Sequence, residues 1–306
     1  MRIYRNFDHI PPTPLVACIG FFDGVHLGHR YLLNLLKQRA DASGYASAVV
    51  TFANHPRTVI SPDTPVALID TAEEKSSLLA ACGVDVCLLL DFTPQLMETS
   101  AEDFIALLAE RGHIKTLLVG YDHRFGHNRA ETFEDYCRYG RELGIHIMQA
   151  TAYTQEQDKV SSSAIRRALL SGEVSTATKY LGYPYFLQGT IVSGYQVGRK
   201  IGFPTANLQV DFSNKLIPAI GVYAVRVSVN GQNYKGMLNI GHRPTINNGT
   251  DLSIEVHILD FEGDIYNQPM HIEFVDFLRS EAKVHSIDEL VLQIQKDKEE
   301  TLKVFQ

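Results

Sequence analysis

The chain has 306 residues, 45 % of them hydrophobic in type, with a formal net charge of −7 and a pI near 5.9. That length predicts about two domains with cores of ordinary size, and the acidic balance argues against bulk nucleic acid or an anionic membrane as partner. Cysteines at 18, 82, 87 and 137 form no CxxC pair, the N-terminus is too polar for a signal peptide, and no apolar run reaches the roughly 18 residues of a membrane span, so a cytoplasmic protein without a disulfide framework is expected.

Leu15–Ile19 reads as a buried strand, and 31–40, with leucines at 32, 33, 35 and 36, as a helix. Between them, Gly20-Phe-Phe-Asp-Gly-Val-His-Leu-Gly-His29 is a strand-to-helix turn in which Gly20, Gly24 and Gly28 let the backbone come close to something. His26 and His29 stand at the helix entrance, where orphan N–H groups and the helix dipole favour an anion. The turn reads as a phosphate site, or more simply as polar surface at a helix start. Zinc fits poorly, because the HExxH motif spaces its histidines i, i+4 with a Glu between them.

Ala46–Phe52 is the next strand. Then come a helix at 71–82 ended by Gly83, a strand at 84–90, and a helix at 100–111 with Ser100 and Asp103 at capping-box spacing. A strand at 116–119, a helix at 132–143 and a strand at 146–150 follow. Apolar strands between amphipathic helices predict an α/β parallel sheet covered on both faces, with ligands beyond the carboxyl ends of its strands. Polar clusters fall at such ends: Asn54-His55-Pro-Arg57, then Gly120-Tyr-Asp122-His-Arg-Phe-Gly126. Ser161-Ser162-Ser163-Ala-Ile-Arg166 opens a further helix. Its serines read as N-caps or, with the arginine one turn in, as a triphosphate grip.

Helices at 162–170 and 173–181 close this half, and the pattern changes near 184, which predicts domains 1–183 and 184–306. Residues 223–229 alternate with period two, Asn230-Gly231 is a hairpin turn, and 232–240, 252–260 and 270–277 add strands. Short strands with Gly and Pro turns imply a small barrel or sandwich. A capping box at Ser286 and Glu289 opens a terminal helix, whose stripe of Ile287, Leu290, Ile294, Thr301 and Phe305 is expected to pack on the barrel.

In this half, glycines 189, 194, 198 and 202 punctuate a segment containing Arg199 and Lys200, which continues Gly202-Phe-Pro204-Thr205-Ala-Asn207. No Gly-Lys-Ser/Thr closes it, so it is not a Walker A loop. Thr205 and Asn207 point the same way on an extended chain. Their hydroxyl and amide oxygens suit Mg²⁺, although ordinary turn chemistry also accounts for them. Glu255 shares a strand face with His257 and, on pattern alone, reads as a solvated residue.

These motifs resemble, over essentially the full length, the bifunctional bacterial riboflavin kinase/FMN adenylyltransferase family, the FAD synthetases. In the first half, Gly20-x-Phe22-Asp23-Gly24-x-His26-x-Gly28-His29, Thr51-Phe-x-x-His55-Pro56, the 120–126 segment and Ser161-Ser-Ser-x-Ile-Arg166 are similar to the adenylyltransferase module of the nucleotidyltransferase superfamily. In the second, Gly198-Arg199-x-x-Gly202-Phe-Pro204-Thr205-Ala-Asn207, Gly221-Val-Tyr223, Asn239-Ile-Gly-x-Arg243-Pro-Thr245 and Glu255-x-His-x-Leu-Asp260 are similar to the flavokinase barrel.

The resemblance implies a Rossmann-like sheet followed by a small antiparallel barrel with a terminal helix. It implies two ATP-dependent reactions, riboflavin to FMN and FMN to FAD, assisted by Mg²⁺. In the barrel, Glu255 would be the base and Thr205 and Asn207 the metal ligands. Gly198, Arg199, Lys200, Gly202, Pro204, Asn239 and Arg243 would contact substrates. In the sheet module, His26, His29 and Arg166 would act in catalysis. Gly20, Phe22, Asp23, Gly24, Gly28, Asn54, His55, Asp122, Ser162 and Ser163 would bind nucleotide. A monomer or weak oligomer is expected. The chain departs from the family in having Ser163 where threonine is common and Asp122 where some relatives have Asn. It also lacks glycines after Gly126, which implies a stiffer loop. An enzyme with one live module and a flavin sensor without turnover stay open as alternatives.

Overall fold

The computed structural model describes the chain except residues 62, 65, 122, 128, 129, 152, 154–159, 195, 196, 211, 213, 243–251 and 283–285, and the side chains of Val197 and Lys200. It divides into two compact units, Met1–Ser162 and Ser163–Gln306.

The first unit runs β1 (Arg2–Tyr4), β2 (Leu15–Ile19), α1 (Leu27–Ser43), β3 (Ala46–Phe52), α2 (Pro56–Ile60), α3 (Ala72–Ala81), β4 (Val86–Leu90), α4 (Pro94–Glu98), α5 (Ala101–Glu110), β5 (Ile114–Val119), α6 (Phe133–Leu143) and β6 (His146–Gln149). Its strands pair in parallel in the order β1-β4-β3-β2-β5-β6. From β2 the chain moves outward through β3 and β4, then returns to β5 on the other side of β2. The carboxyl end of β2 is therefore the switch point where such sheets bind ligands. Successive strand residues serve opposite faces. Leu15, Ala17 and Ile19 join the core with Phe104, Ile105 and Leu108 of α5 and Tyr136 of α6, whereas Val16 and Cys18 join Leu33, Leu36 and Ala40 of α1 and Leu79 of α3. Leu33 and Leu36 are at most 1 % exposed, each contributing about 2 kcal/mol of burial.

The helix starts fall where side-chain caps dictate. Thr71 with Glu74 and Thr132 with Asp135 make full capping boxes, and Ser100 accepts from the Asp103 N–H. Three elements carry no period long enough to read: β1, whose Arg2 and Ile3 are exposed, and the five-residue helices α2 and α4, which begin with proline behind His55 and Thr93 caps. The four cysteines are free thiols, and burial pushes Cys18 far up and Cys87 to about 11.

Helix α7 (Ser162–Leu170) opens at the junction. The second unit continues with α8 (Val174–Leu181), β7 (Phe186–Val192), α9 (Val197–Lys200), β8 (Ala206–Gln209), β9 (Gly221–Val229), β10 (Gln232–His242), β11 (Leu252–Ile258), β12 (Pro269–Arg279) and α10 (Ile287–Val304). The division falls before α7 and α8, whereas the sequence pattern changes after them. The reason is packing: α8 lies on β12, the Ala219 N–H donates to Leu169 C=O at 3.0 Å, and Gly172 sits against the Phe277 ring.

The strands close into an antiparallel barrel ordered β10-β11-β8-β7-β12-β9. Asn230 and Gly231 take φ of 51° and 73°, as the tight hairpin requires. Helix α10 packs on β9, β10 and β12, where Asp297 takes two bonds from the Arg279 guanidinium at 2.8 and 2.7 Å. The expected stripe holds except at Ile287, which is 69 % exposed. It sits in the first turn and roughly 80° around the helix from Asp297, so it misses the barrel.

Candidate active sites

The first site is the turn after β2. Phe22, Gly24 and Val25 have φ of 57°, 85° and 30°, a strained path for two non-glycine residues, one of them β-branched. Buried side chains hold it. Phe22 and Val25 are at most 1 % exposed. Asp23 Oδ1 accepts from the Ile69 and Asp70 N–H groups at 3.0 and 3.2 Å, and Asp70 Oδ2 accepts from the Gly24 N–H at 2.8 Å. The two carboxylates thus bind backbone on each other's segment. Lys75 Nζ donates to the carbonyls of Phe21 and Phe52 at 3.1 and 2.6 Å.

The turn delivers His26 as the N-cap of α1, where its Nδ1 accepts from the His29 N–H at 3.3 Å. The two imidazoles stack with centroids 3.6 Å apart and planes 14° off parallel, and Phe22 lies 5.1 Å from the His29 ring. The close approach that the glycine spacing suggests is to side chains of the turn itself. A Cβ on Gly20 would come within 3.0 Å of the Phe22 ring, and one on Gly28 within 3.3 Å of the His26 ring. Both make room for the site's own rings, and only Gly24 needs its left-handed φ.

Burial lowers the His26 pKa to about 4. His29 is pushed well below the usual imidazole range, first by burial and then by the charges of His26, Lys75 and His123. Both rings are neutral at pH 7. Because His26 Nδ1 accepts, its proton is on Nε2, so the ring presents a donor without a full charge. His29 Nδ1 is buried with no hydrogen-bond partner.

The depressed pKa makes a prediction about stability. An unfolded chain protonates the His26 imidazole near 6.5 and the folded chain only near 4, so in that window the unfolded state binds more protons and stability rises with pH. The first unit is expected to lose on the order of 3 kcal/mol as pH falls from about 6.5 to 4. Urea unfolding across that range checks it, and His26→Asn should make the slope shallower, leaving the part that His29 contributes.

The other polar residues expected here take mixed roles. Asn54 uses both amide atoms on Phe92, at 2.9 and 2.8 Å, tying the end of β3 to the loop after β4. His55 caps α2 and lies edge-on to Phe21 at 4.5 Å. Ser162 Oγ donates to the Asp23 C=O at 2.8 Å, tying the start of α7 to the turn. Ser163 and Arg166 continue α7 in the second unit. Asp122 lies outside the described residues. Two relevant side chains escaped the sequence reading. His123, in the loop after β5, acts on His29, and Lys75 is 3 % exposed within α3. A lysine among Glu, Ser and Ala on a helix looks solvated, so nothing in the pattern marks it.

The second site is on the barrel wall. Glu255 pairs in register with Asn207 of β8 on one side and Asn239 of β10 on the other, so the three side chains stand in a row on one face. Thr205 Oγ1 donates to Glu255 Oε2 at 3.2 Å. His257 Nδ1 lies 2.8 Å from the Pro204 carbonyl and its ring meets Phe203 edge-on, which fixes the segment carrying Thr205. Gly194 and Gly198 are required by close approach: a Cβ would strike the Asn207 amide at the first and the Phe203 carbonyl at the second. Gly202 takes φ 86°. A cavity of about 470 Å³ opens beside Thr205, with Arg199 and Pro204 on one wall and Ile265 and Tyr266 on another. Arg243 and the Lys200 side chain lie outside the described residues. Among the described residues no cluster of three or more His, Cys, Asp or Glu could hold a metal. The oxygens of Thr205, Asn207 and Glu255 form a different donor set.

Residues 10–164 match the family model for FAD synthetase and residues 181–305 that for riboflavin kinase. A bifunctional riboflavin kinase/FMN adenylyltransferase of Listeria monocytogenes is 38 % identical, covering 95 % of this chain and 92 % of its own. One from Haemophilus influenzae is 37 % identical over 100 % and 99 %, and one from Escherichia coli K12 is 35 % identical over 97 % and 96 %. A solved structure named a macrolide-efflux protein, from Streptococcus pneumoniae, superposes with a TM-score of 0.90 at 33 % identity over 98 % of this chain and 97 % of that one. Among the described residues no helix is long and apolar enough to cross a membrane.

Proposed function

The chain belongs to the bifunctional riboflavin kinase/FMN adenylyltransferase family, and we propose from that premise how its two sites divide the chemistry. The enzyme phosphorylates riboflavin to FMN with ATP and adenylylates FMN to FAD with a second ATP, releasing pyrophosphate. The observation that carries the division is the placement of carboxylates. The barrel site holds one in an open row with hydrogen-bonding neighbours. At the sheet turn both Asp23 and Asp70 accept from backbone N–H groups, and beside them stand the neutral imidazoles of buried His26 and half-buried His29 and the Lys75 ammonium.

In the kinase reaction the nucleophile is the terminal ribityl hydroxyl, too weak at neutral pH without a base. Glu255 accepts its proton, oriented by the Thr205 hydroxyl and flanked by Asn207 and Asn239. The Thr205 hydroxyl and Asn207 amide oxygens are hard, neutral donors that fit Mg²⁺, which takes few protein ligands and keeps waters and substrate phosphates. When bound, the ion neutralises charge on the transferring phosphate. Arg199 faces the polyphosphate across the cavity, and Gly198, Gly202 and Pro204 shape the loop that lies along it.

In the adenylyl transfer the nucleophile is the FMN phosphate. It is largely dianionic at pH 7, since its second pKa is about 6, so no base is needed. The site aligns the reactants and stabilises charge on the α-phosphate and leaving group. His26 and His29 donate from the start of α1. Ser162, whose hydroxyl donates to the Asp23 carbonyl, joins them, and the roles of Ser163 and Arg166 in this reaction, like the functional boundary 1–183, are those the family resemblance implies. Cytoplasmic location, a monomeric or weakly associated state and no nucleic-acid partner belong to the same proposal.

Incubation with riboflavin, Mg²⁺ and ATP, followed by chromatography, tests the assignment. FAD is expected. FMN alone would indicate one live module, and unchanged riboflavin a binding protein. Gly194→Ala, whose new methyl displaces the Asn207 amide, is expected to raise the KM for ATP in riboflavin phosphorylation about tenfold and leave FMN-to-FAD conversion unchanged. Steady-state kinetics on each half-reaction decide it.

A further inference from the structure

Lys75 is a buried cation that neither reaction, as assigned above, uses. It sits one turn into α3 and is 3 % exposed. Its ammonium donates to Phe21 C=O at 3.1 Å and Phe52 C=O at 2.6 Å and lies 4.1 Å from the centroid of the Phe21 ring. Phe52 ends β3, and Phe21 is the second residue past β2, its neighbour in the sheet. The one ammonium therefore joins the carboxyl ends of two adjacent strands at the switch point, on the same carbonyl that Thr51 Oγ1 also holds, at 3.0 Å.

A buried ammonium is costly, and an apolar side chain of similar volume would fill the space at less cost. The surroundings are arranged to tolerate the charge. Asp23 and Asp70 act on it electrostatically while their own oxygens bind the turn's backbone, and His29 feels it from α1.

We propose that Lys75 is a positioning residue of the adenylyl-transfer site, holding the His26–His29 turn against the end of β3 and keeping a positive charge behind it that favours the phosphates of the bound nucleotide. This rests on the assignment of that turn to adenylyl transfer.

The groups facing Lys75 are the Asp23 and Asp70 carboxylates, the Cys87 thiol of β4 and the neutral His29 imidazole. Burial lowers the lysine pKa to about 8, with Asp23, Asp70 and Cys87 opposing. Below that pH the group is charged. Above it, the neutral amine still has N–H groups for both carbonyls, so rising pH removes the charge and leaves the bridge.

The test measures both half-reactions of the full-length protein between pH 6.5 and 9, for the parent, Lys75→Met and Lys75→Gln. In the parent, kcat/KM for FMN adenylylation is expected to fall through pH 8 while riboflavin phosphorylation shows no matching step. In Lys75→Met the adenylylation kcat/KM at pH 7 should drop ten- to a hundredfold, mostly through the KM for ATP, and the step near pH 8 should vanish. Lys75→Gln, which keeps a donor without charge, should also lack the step. Far-UV circular dichroism and a cooperative urea transition of the first unit, Met1–Ser162, show that each variant is folded, and riboflavin phosphorylation within twofold of the parent shows that the barrel is undisturbed. A variant that retains the step near pH 8, or adenylylates within threefold of the parent, overturns the proposal. If Lys75→Met and Lys75→Gln fail to fold, the parent profile decides alone, and a flat profile overturns it. His29→Ala in the same assay separates the two claims: if it leaves FMN adenylylation intact, the turn is not the adenylyl site and the underlying assignment fails.

Discussion

Glu255→Ala is expected to lower the rate of riboflavin phosphorylation by 10²- to 10⁴-fold, the range a general base supplies, while FMN-to-FAD conversion runs at the parental rate. The strand tolerates the change, because Glu255 is half-buried and its backbone stays paired with Asn207 and Asn239. Glu255→Gln is the sharper variant. Its amide oxygen can still accept from Thr205, which donates to Glu255 Oε2 at 3.2 Å in the parent, so shape and local bonding survive and only the proton acceptor is lost. Each half-reaction is measured separately by supplying riboflavin or FMN. A folded Glu255→Gln that phosphorylates riboflavin at the parental rate would remove Glu255 as base. Loss of both activities in a folded variant would refute the division between the two sites.

His29→Ala is expected to reduce FMN adenylylation 10²- to 10³-fold, the usual cost of removing a preorganised donor to developing charge, with riboflavin phosphorylation untouched. His26 needs more care, because it is the N-cap of α1 and, in the proposed adenylyl transfer, also a donor to the phosphates. His26→Ala removes both roles and should also cost about 1 kcal/mol of stability. His26→Asn keeps a good cap and loses the imidazole. Equal losses of adenylylation in the two variants, with lower stability only in His26→Ala, would assign the catalytic effect to the ring. Full activity in His26→Asn would leave His26 a structural cap.

Much of the architecture follows from local pattern. The strands Leu15–Ile19 and Ala46–Phe52 are apolar throughout because both faces of a parallel sheet are covered, and Thr71, Ser100 and Thr132 cap their helices through side chains within three residues. The Asn230-Gly231 turn was legible because few residues tolerate its positive φ values. The motif residues Thr205, Asn207 and Glu255 were legible as types. That Thr205 donates to Glu255 was not, because 50 residues separate them and strand register alone joins them.

The turn from Gly20 to His29 shows where the sequence stops. Its residues alone gave a strand-to-helix turn suited to an anion and marked the histidines, since glycines, imidazoles and a helix start are local features. Only the tertiary structure decided that the imidazoles are neutral, because burial is a property of the packed core. It alone made Asp23 a brace, Gly20 and Gly28 clearances for Phe22 and His26, and Lys75 a cation beneath the site. A side chain's charge state and partners depend on what the fold brings within a few ångströms, and no spacing along the chain encodes that distance.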